Sequence, residues 1–327
     1  MSDEITSDKH PVLYHYTTFA GFKGIMSSQT LFARHFKSLN DTTEVIHSRL
    51  KLSAALLPRI KKEIKKHRGG LKQAIREFGG IHGLALNEAN AVLNSLFETA
   101  FGTDERPALF PLYVTSFCSH IDDDSGYAKA NGLLSMWRGY ANGGVAVVFD
   151  TRELEKCLGK EFEEFYYSFG SLGDVVYEGD DAFFQEEFGD FVEMFKDRAI
   201  TMLTDNEHFH LGEGFIQGFF QTASRYKHQA FAEEREVRIV CAPWGETEYA
   251  SELEENRMLR KWKERIDREG IEYIDLFDGE AVPKLPIMKV IIGPHREQKA
   301  RYDEARELLR HRKEIEVTCS ATPYLEL

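Results

Sequence analysis

The sequence predicts an α+β fold, and three observations point to it. Short strand-like runs such as VLYHY (Val12–Tyr16) and VAVVF (Val145–Phe149) lie far apart in the chain and are separated by helical stretches of uneven length. Several of these runs are placed to pair antiparallel, and no internal repeat of the kind that builds a solenoid is visible. The 327 residues are 42% hydrophobic and 29% charged, with 25 glycines and 9 prolines, a composition that buries a core and excludes disorder, collagen and low-complexity structure.

The elements follow in chain order. Val12–Tyr16 reads as a strand, and Thr17 or Thr18 caps a helix that sets Phe19, Phe22 and Met26 on one face. Leu31–Phe36 is a second strand, ended by the turn Ser38–Asp41. From Thr43 to Ala100 the pattern is helical, broken at Pro58, Gly69-Gly70 and Gly79-Gly80, and we read residues 43–100 as a helical insertion in one domain spanning 1–327. Strand character returns at Leu112–Cys118, followed by the acidic loop His120–Gly132 and a short helix, LLSMWRGYA. The turn Asn142-Gly143-Gly144 leads into the strand Val145–Phe149. Gly173–Tyr177 is a weaker strand, and Asp181–Leu203 and Phe215–Phe231 read as helices. Glu236–Cys241 alternates as a strand, Ser251–Glu269 as a helix, Ile287–Ile292 as a strand, Glu297–His311 as a helix and Glu314–Thr318 as a last strand.

Charge is unevenly spread. Forty-one Lys and Arg against 54 Asp and Glu leave a net charge of −13, which argues against a chain held to nucleic acid by bulk electrostatics. Yet Arg49–Arg76 carries ten basic residues and one acid, Glu63, whereas Glu161–Asp190 carries ten acids and no Lys or Arg. Such runs are ordinarily solvated helix faces; the alternative is that the basic one meets a polyanion through Arg49, Lys61, Lys62, Lys65, Lys66 and Arg68. No run approaches the ~20 apolar residues of a membrane span, and MSDEITSDKH lacks the basic start and apolar stretch of a signal peptide, so a cytoplasmic chain is expected. The four cysteines form no CxxC pair, and His208 and His210 have no third ligand at a recognisable spacing, so neither a disulfide framework nor a metal site is expected.

GxSxG, HExxH, GxxxxGK[ST] and a post-strand GxGxxG are all missing from the sequence. The polar residues that remain sit at element ends: YHYT, LND with Glu44 after it, TSFC (Thr115–Cys118), SMWRGY (Ser135–Tyr140) and KHQAFAEEREVRIV (Lys227–Val240). With GVAVVFD, VVYEGD, VIIGP and VTCSATPY, this order of motifs resembles a bacterial family, the domain-of-unknown-function family numbered 2971, over nearly the whole chain. More distantly, the motif order is similar to the ADP-ribosyltransferase superfamily, with a first-strand His, a central Ser or aromatic position and a late Glu at a strand start.

That second resemblance implies an ADP-ribosyltransferase-like mixed or antiparallel β core, NAD as co-substrate, and cleavage of the nicotinamide–ribose bond through an oxocarbenium-like transition state. Glu236 then takes the catalytic place, bonding the ribose 2′-hydroxyl and stabilising positive charge, and Glu234 orients the acceptor or acts as base. In an extended E-x-E segment both side chains point the same way. A Glu beside Arg235 and Arg238 is equally readable as an ion pair. His15 resembles the His that holds the adenosine ribose, and Ser116 a supporting strand serine. Tyr16 or Tyr140 would stack on nicotinamide, Asp41 would contact the cofactor, and Arg238 would pair with a pyrophosphate or with Glu236; each is also readable as a core, cap or salt-bridge residue. On a helix Met136 and Tyr140 share a face from which Trp137 is turned away, so at most two of the three line one pocket.

The implied function is NAD-dependent ADP-ribosyl transfer to a macromolecule, with nucleic acid favoured over protein, in a toxin or phage-defence effector. A catalytically inactive nucleotide- or partner-binding module of the same fold is the alternative, as is an NAD hydrolase. A metal-dependent nuclease has only Asp122-Asp123-Asp124 to draw on, and adjacent acids in a loop do not converge on one ion.

Overall fold

The computed structural model describes residues 5–36, 44–102, 111–205, 213–243, 258, 266–267 and 270–323. The elements are α1 (Thr6–Lys9), β1 (Val12–Thr17), α2 (Phe19–Ser28), β2 (Leu31–His35), α3 (Glu44–Lys66), α4 (Lys72–Glu77), α5 (Ile81–Phe101), β3 (Tyr113–Cys118), α6 (Tyr127–Asn131) and α7 (Leu134–Met136), which runs into a π-helical turn, Trp137–Ala141. Then come β4 (Val145–Asp150), α8 (Thr151–Glu164), β5 (Tyr167–Asp174), β6 (Val176–Tyr177), α9 (Asp181–Asp205), α10 (Glu213–Ser224), β7 (Tyr226–Lys227), a 3₁₀ turn (Gln229–Glu234), β8 (Glu236–Pro243), β9 (Tyr273–Leu276), β10 (Ile287–Ile292), α11 (Gln298–Leu308) and β11 (Glu316–Cys319). The α+β expectation holds.

The main sheet has nine strands and is mostly antiparallel, in the order β11-β10-β4-β1-β3-β2-β9, with β8 on the other edge of β3 and β5 beyond β8. Among its described strands, β10 and β11 pair parallel and the other neighbours antiparallel. The arrangement at β3 matters most. Its full length pairs with β8, from Tyr113↔Cys241 to Cys118↔Glu236. Its opposite edge is shared: β1 pairs at Tyr14↔Cys118, and β2 pairs at Arg34↔Val114 and His35↔Tyr113. Between those ends, Thr115–Phe117 has no strand partner on that edge among the described residues, and the sheet is split there. Orphaned backbone groups in such a split need other partners. The Thr115 hydroxyl donates to the Phe32 carbonyl at 2.9 Å, and His15 Nδ1 lies 3.0 Å from the Ser116 carbonyl.

Strand alternation separates two faces. On one, Leu13, Phe117, Val147, Phe149, Ile239 and Val290 are buried against α2, α8 and α11. On the other, two clusters flank the split: Tyr14, Tyr16, Trp137 and Val148 on one side, and on the other the helices α3, α5, α9 and α10 packed over Val114, Val240 and Ala242. The helical layer therefore draws on α9 and α10 as well as on the segment 43–100.

Several elements depart from the sequence reading. Pro58 does not break α3. An interior proline costs about 3 kcal/mol, but Leu52, Leu56, Ile60 and Ile64, spaced four apart, are all within 1% of fully buried, and each such side chain returns roughly 1.5–3 kcal/mol. The helix expected over Phe215–Phe231 stops at Ser224, because β7 is captured by β6 in a parallel pair and the Ser224 and Arg225 carbonyls accept from Arg238 and the Val176 amide at 2.6 Å. The strand β5 begins earlier than the expected Gly173–Tyr177. Gly170 disguises it: a Cβ there would lie 1.9 Å from the Phe162 ring and would have to displace it, so a residue without a side chain sits at that close approach. The helix expected over Ser251–Glu269, and His208 and His210, fall almost wholly or wholly outside the described residues.

The basic run meets the acidic run and its continuation along α9 at the surface. Lys51 on α3 pairs with Asp181 on α9, and Arg59 Nε lies 2.6 Å from Glu193. Part of the basic run is thus neutralised by the chain itself.

Candidate functional site

At the split in the sheet lies a cavity of about 430 Å³, a size suited to a small-molecule ligand. Its walls include His15 and Tyr16 of β1, Arg34 of β2, Glu44 of α3, Ser116 of β3, Met136 of α7, Tyr140 of the turn after it, Lys227 of β7, and Glu234, Glu236 and Arg238 around the start of β8. Of the residues singled out in the sequence, His15, Tyr16, Ser116, Tyr140, Glu234, Glu236 and Arg238 therefore meet at one place. Asp41 lies outside the described residues, and its neighbour in the motif, Glu44, is the acid that reaches the cavity.

Ser116, Glu236 and Arg238 project from one face of the sheet, the face of Val114 and Val240. His15 alternates with Tyr14 and belongs to the face of Leu13. The split lets the two sets meet. A carbonyl only accepts, so His15 Nδ1 carries the hydrogen toward Ser116 O, and Nε2 is the acceptor of a neutral ring. Burial holds the His15 pKa down, partly offset by that carbonyl.

The floor is ionic. Arg238 Nε lies 2.8 Å from Glu236 Oε1 and Nη2 2.9 Å from Glu236 Oε2. Nη1 donates to Glu44 Oε2 at 2.7 Å and to the Ser224 carbonyl at 2.6 Å, and Nη2 also donates to Glu44 Oε1 at 2.8 Å. All five guanidinium hydrogens are used. The structure thus supports the ion-pair account of Arg238 and leaves it no donor for a pyrophosphate. Lys227 Nζ bridges Glu234 Oε2 at 2.7 Å and Glu236 Oε2 at 3.0 Å. Three carboxylates face two cations, all buried, and such charges persist only when paired.

Burial alone would raise the Glu236 pKa, but the Arg238 and Lys227 charges and a hydrogen bond from the Ser116 hydroxyl bring it down to about 2. Glu236 is an anion at any physiological pH. It suits a role in holding a hydroxyl or a developing positive charge and not one as a proton shuttle. For Lys227, burial pulls the pKa down, but Glu236 and Glu234 together raise it above its ordinary value, so the ammonium stays charged.

The extended E-x-E reading is corrected by the backbone. Glu234 ends a 3₁₀ turn and Arg235 is left-handed, at φ 44°, so the two glutamates do not sit on one extended strand. They converge because the turn folds Glu234 back over Lys227. Tyr140 donates its hydroxyl to Glu234 Oε1 at 2.6 Å; burial and that bond both push its pKa up. The Tyr177 hydroxyl accepts from the Glu236 amide at 2.9 Å.

Met136 and Tyr140 line the cavity while Trp137 is wholly buried behind them, in agreement with the facing argument. Trp137 fits because Gly132 is glycine: its φ is +75°, and a Cβ would lie 2.6 Å from the indole. Tyr16 is tied down too, its hydroxyl 2.9 Å from His120 Nε2 and accepting from the Leu133 amide at 3.0 Å.

Sequence reasoning missed Lys227 and Tyr177. Both stand in motifs quoted above, KHQAFAEEREVRIV and VVYEGD, but nothing in their spacing shows that β6 and β7 pair under the start of β8.

Residues 136–239 match the family described as Protein of unknown function (DUF2971), 104 of the 327 residues. The matched segment contains Tyr140, Tyr177, Lys227, Glu234, Glu236 and Arg238, and leaves out His15, Tyr16, Glu44 and Ser116. No curated protein and no solved structure matches the chain. Among the described residues, no helix is long and apolar enough to cross a membrane, and no three His, Cys, Asp or Glu side chains are grouped to hold a metal ion.

Proposed function

We propose that the cavity at the split in the sheet binds NAD and that the protein is an ADP-ribosyltransferase of similar fold, transferring to a macromolecule, with nucleic acid favoured. One observation carries the reading: His15, Ser116 and Glu236, drawn from three separated motifs, line one cavity, and the glutamate among them is held ionised. In the reaction the C–N bond between nicotinamide and ribose breaks, and nicotinamide leaves with the bonding pair. The ribose carbon carries positive charge that the Glu236 carboxylate stabilises. The acceptor's nucleophile then bonds to that carbon and its proton is released, with Glu234, on the cavity wall beside Tyr140, in place to receive it. His15 Nε2 is the acceptor for a ribose hydroxyl.

The test is nicotinamide release and label transfer from labelled NAD with DNA, RNA and lysate as acceptors, comparing the native chain with Glu236→Gln. Turnover falling roughly 100-fold or more in the variant, with the fold retained, supports the reading; equal turnover sinks it. One observation favours a second reading, a nucleotide-binding module without turnover: both Glu236 oxygens are already engaged by Arg238 and Lys227. NAD binding with no nicotinamide release by the native chain would establish that alternative.

A further inference from the structure

The basic run ends at an exposed corner far from the cavity. Lys62, Lys65, Arg68, Lys72 and Arg76 are exposed on the end of α3, the turn after it and α4, and none has an ion-pair partner among the described residues. Lys66 beside them is held 2.7 Å from Glu63. In a chain of net charge −13 this concentration of free cations stands out. Lys51 and Arg59, on the same helix, are spent on α9. Among the described residues the far end of α3 leaves Lys62 and Lys65 unpaired while the middle of the helix is paired.

The other end of α3 is in the site: Glu44, its first residue, lines the cavity and binds Arg238. One helix therefore joins the two places. With a rise of ~1.5 Å per residue, the axis from Glu44 to Lys62 or Lys66 spans about 27 to 33 Å. The corner does not adjoin the cavity, as a basic insertion beside a site would; it stands a full helix length away.

We propose that this corner docks the phosphate backbone of a nucleic-acid acceptor and that α3 fixes the distance between the docking point and the reacting position. The proposal rests on the transferase reading for the second half of that statement and on the charge pattern alone for the first. Acceptor strands must then reach ~30 Å, about 8 to 10 base steps at ~3.4 Å each. Shorter nucleic acids occupy the corner or the cavity and not both.

The experiment has two readouts on the full chain. Fluorescence anisotropy with a labelled 24-base-pair DNA duplex, and separately with single-stranded DNA and RNA of that length, compares the native chain with Lys62→Glu/Lys65→Glu/Arg68→Glu/Lys72→Glu. The expected result is an affinity loss above tenfold and a drop of about 3 to 4 in the slope of log affinity against log salt. Lys23→Glu/Lys156→Glu/Lys284→Glu/Lys299→Glu, which makes the same change of charge at exposed lysines elsewhere, serves as the control for net charge. Equal affinity in the corner variant and this control overturns the docking surface. Label transfer from NAD is then followed over duplexes of 4, 6, 8, 12 and 24 base pairs. A steep rise between 6 and 12 supports the spacing; transfer independent of length, or untouched by the corner variant, overturns it and leaves the transferase reading standing. Tight binding with no transfer at any length overturns the transferase reading and the spacing with it, and leaves the corner as a nucleic-acid surface.

Discussion

The two faces of the central sheet solve the same burial problem with opposite chemistry. Beneath α2, α8 and α11 the strands present Leu13, Phe117, Val147, Phe149 and Ile239, and burial is favourable at every position. Under the split, the same strands β3 and β8 present half-buried Ser116 together with Glu236 and Arg238, which are buried and far more costly to bury. Replacing the whole cluster with well-packed apolar residues would serve stability at least as well. Among the described residues a five-member ionic cluster lies against one face of this sheet, and the cavity opens beside it.

The comparison can be broken by substitution. Arg238→Met leaves Glu236 and Glu44 buried without their guanidinium and should cost about 3 to 5 kcal/mol of unfolding free energy in a denaturant titration. Adding Glu236→Leu to Arg238→Met should recover much of that loss. A single-variant cost near zero would mean that water reaches the cluster and that it is not an enclosed ionic site. On the apolar face Phe149→Ala should cost a similar ~3 to 5 kcal/mol, and no second substitution at Val147 should rescue it, since the loss is a cavity. Ile239→Val, which removes one buried methyl group, should cost only ~0.5 to 1.5 kcal/mol.

Acid titration sharpens the same contrast. The Glu236 carboxyl is depressed to about 2 from an ordinary 4.5, so its contribution is whole above pH 4.5 and disappears as pH falls through 2. His120 is held down to about 4 from 6.5, chiefly by burial; a depressed histidine likewise contributes above its unfolded pKa and loses that contribution as pH falls from 6.5 through 4. Stability should therefore decline in two windows. His120→Gln should flatten the upper one and Glu236→Gln the lower. A single window shared by both variants would mean that the two groups titrate as one unit.

The smallest effect belongs to Arg235. Its left-handed backbone, φ 44°, is what turns Glu234 toward Lys227, and its side chain reaches Asp122 at the surface. Arg235→Gly removes the steric cost of about 1 kcal/mol and loses an exposed ion pair worth less than that, so a melting temperature unchanged or slightly raised is expected. A marked destabilisation would show that the Asp122 contact, and not the turn, holds the two glutamates together.

How much of this was legible in the sequence varies by element. Strands with plain alternation or unbroken apolar runs, such as Val145–Asp150 and Ile287–Ile292, are read almost to the residue, because their pattern is their own. The strand Tyr167–Asp174 is hidden by Gly170 and Gly173, residues there for close approach and not for strand propensity. The segment after Ser224 looks helical in isolation and is drawn into pairing by β6, which no local signal announces. In the site, Glu236 and His15 are visible as polar residues at strand ends; Lys227 and Tyr177 are not, since their role depends on which strands become neighbours.

The sequence alone determined the α+β class, the positions of its strongest strands, the uneven charge and the polar residues that close on the cavity, because each depends on composition or on a short-range period. Tertiary structure decided the rest. It set the acidic run against part of the basic one, turned Glu234 back onto Lys227, placed the free end of the basic helix ~30 Å from the cavity its first residue lines, and opened the sheet between β1 and β2 so that His15 meets Ser116 and Glu236. Those features rest on contacts between residues tens to hundreds of positions apart, and such contacts are settled by packing and not by any local pattern.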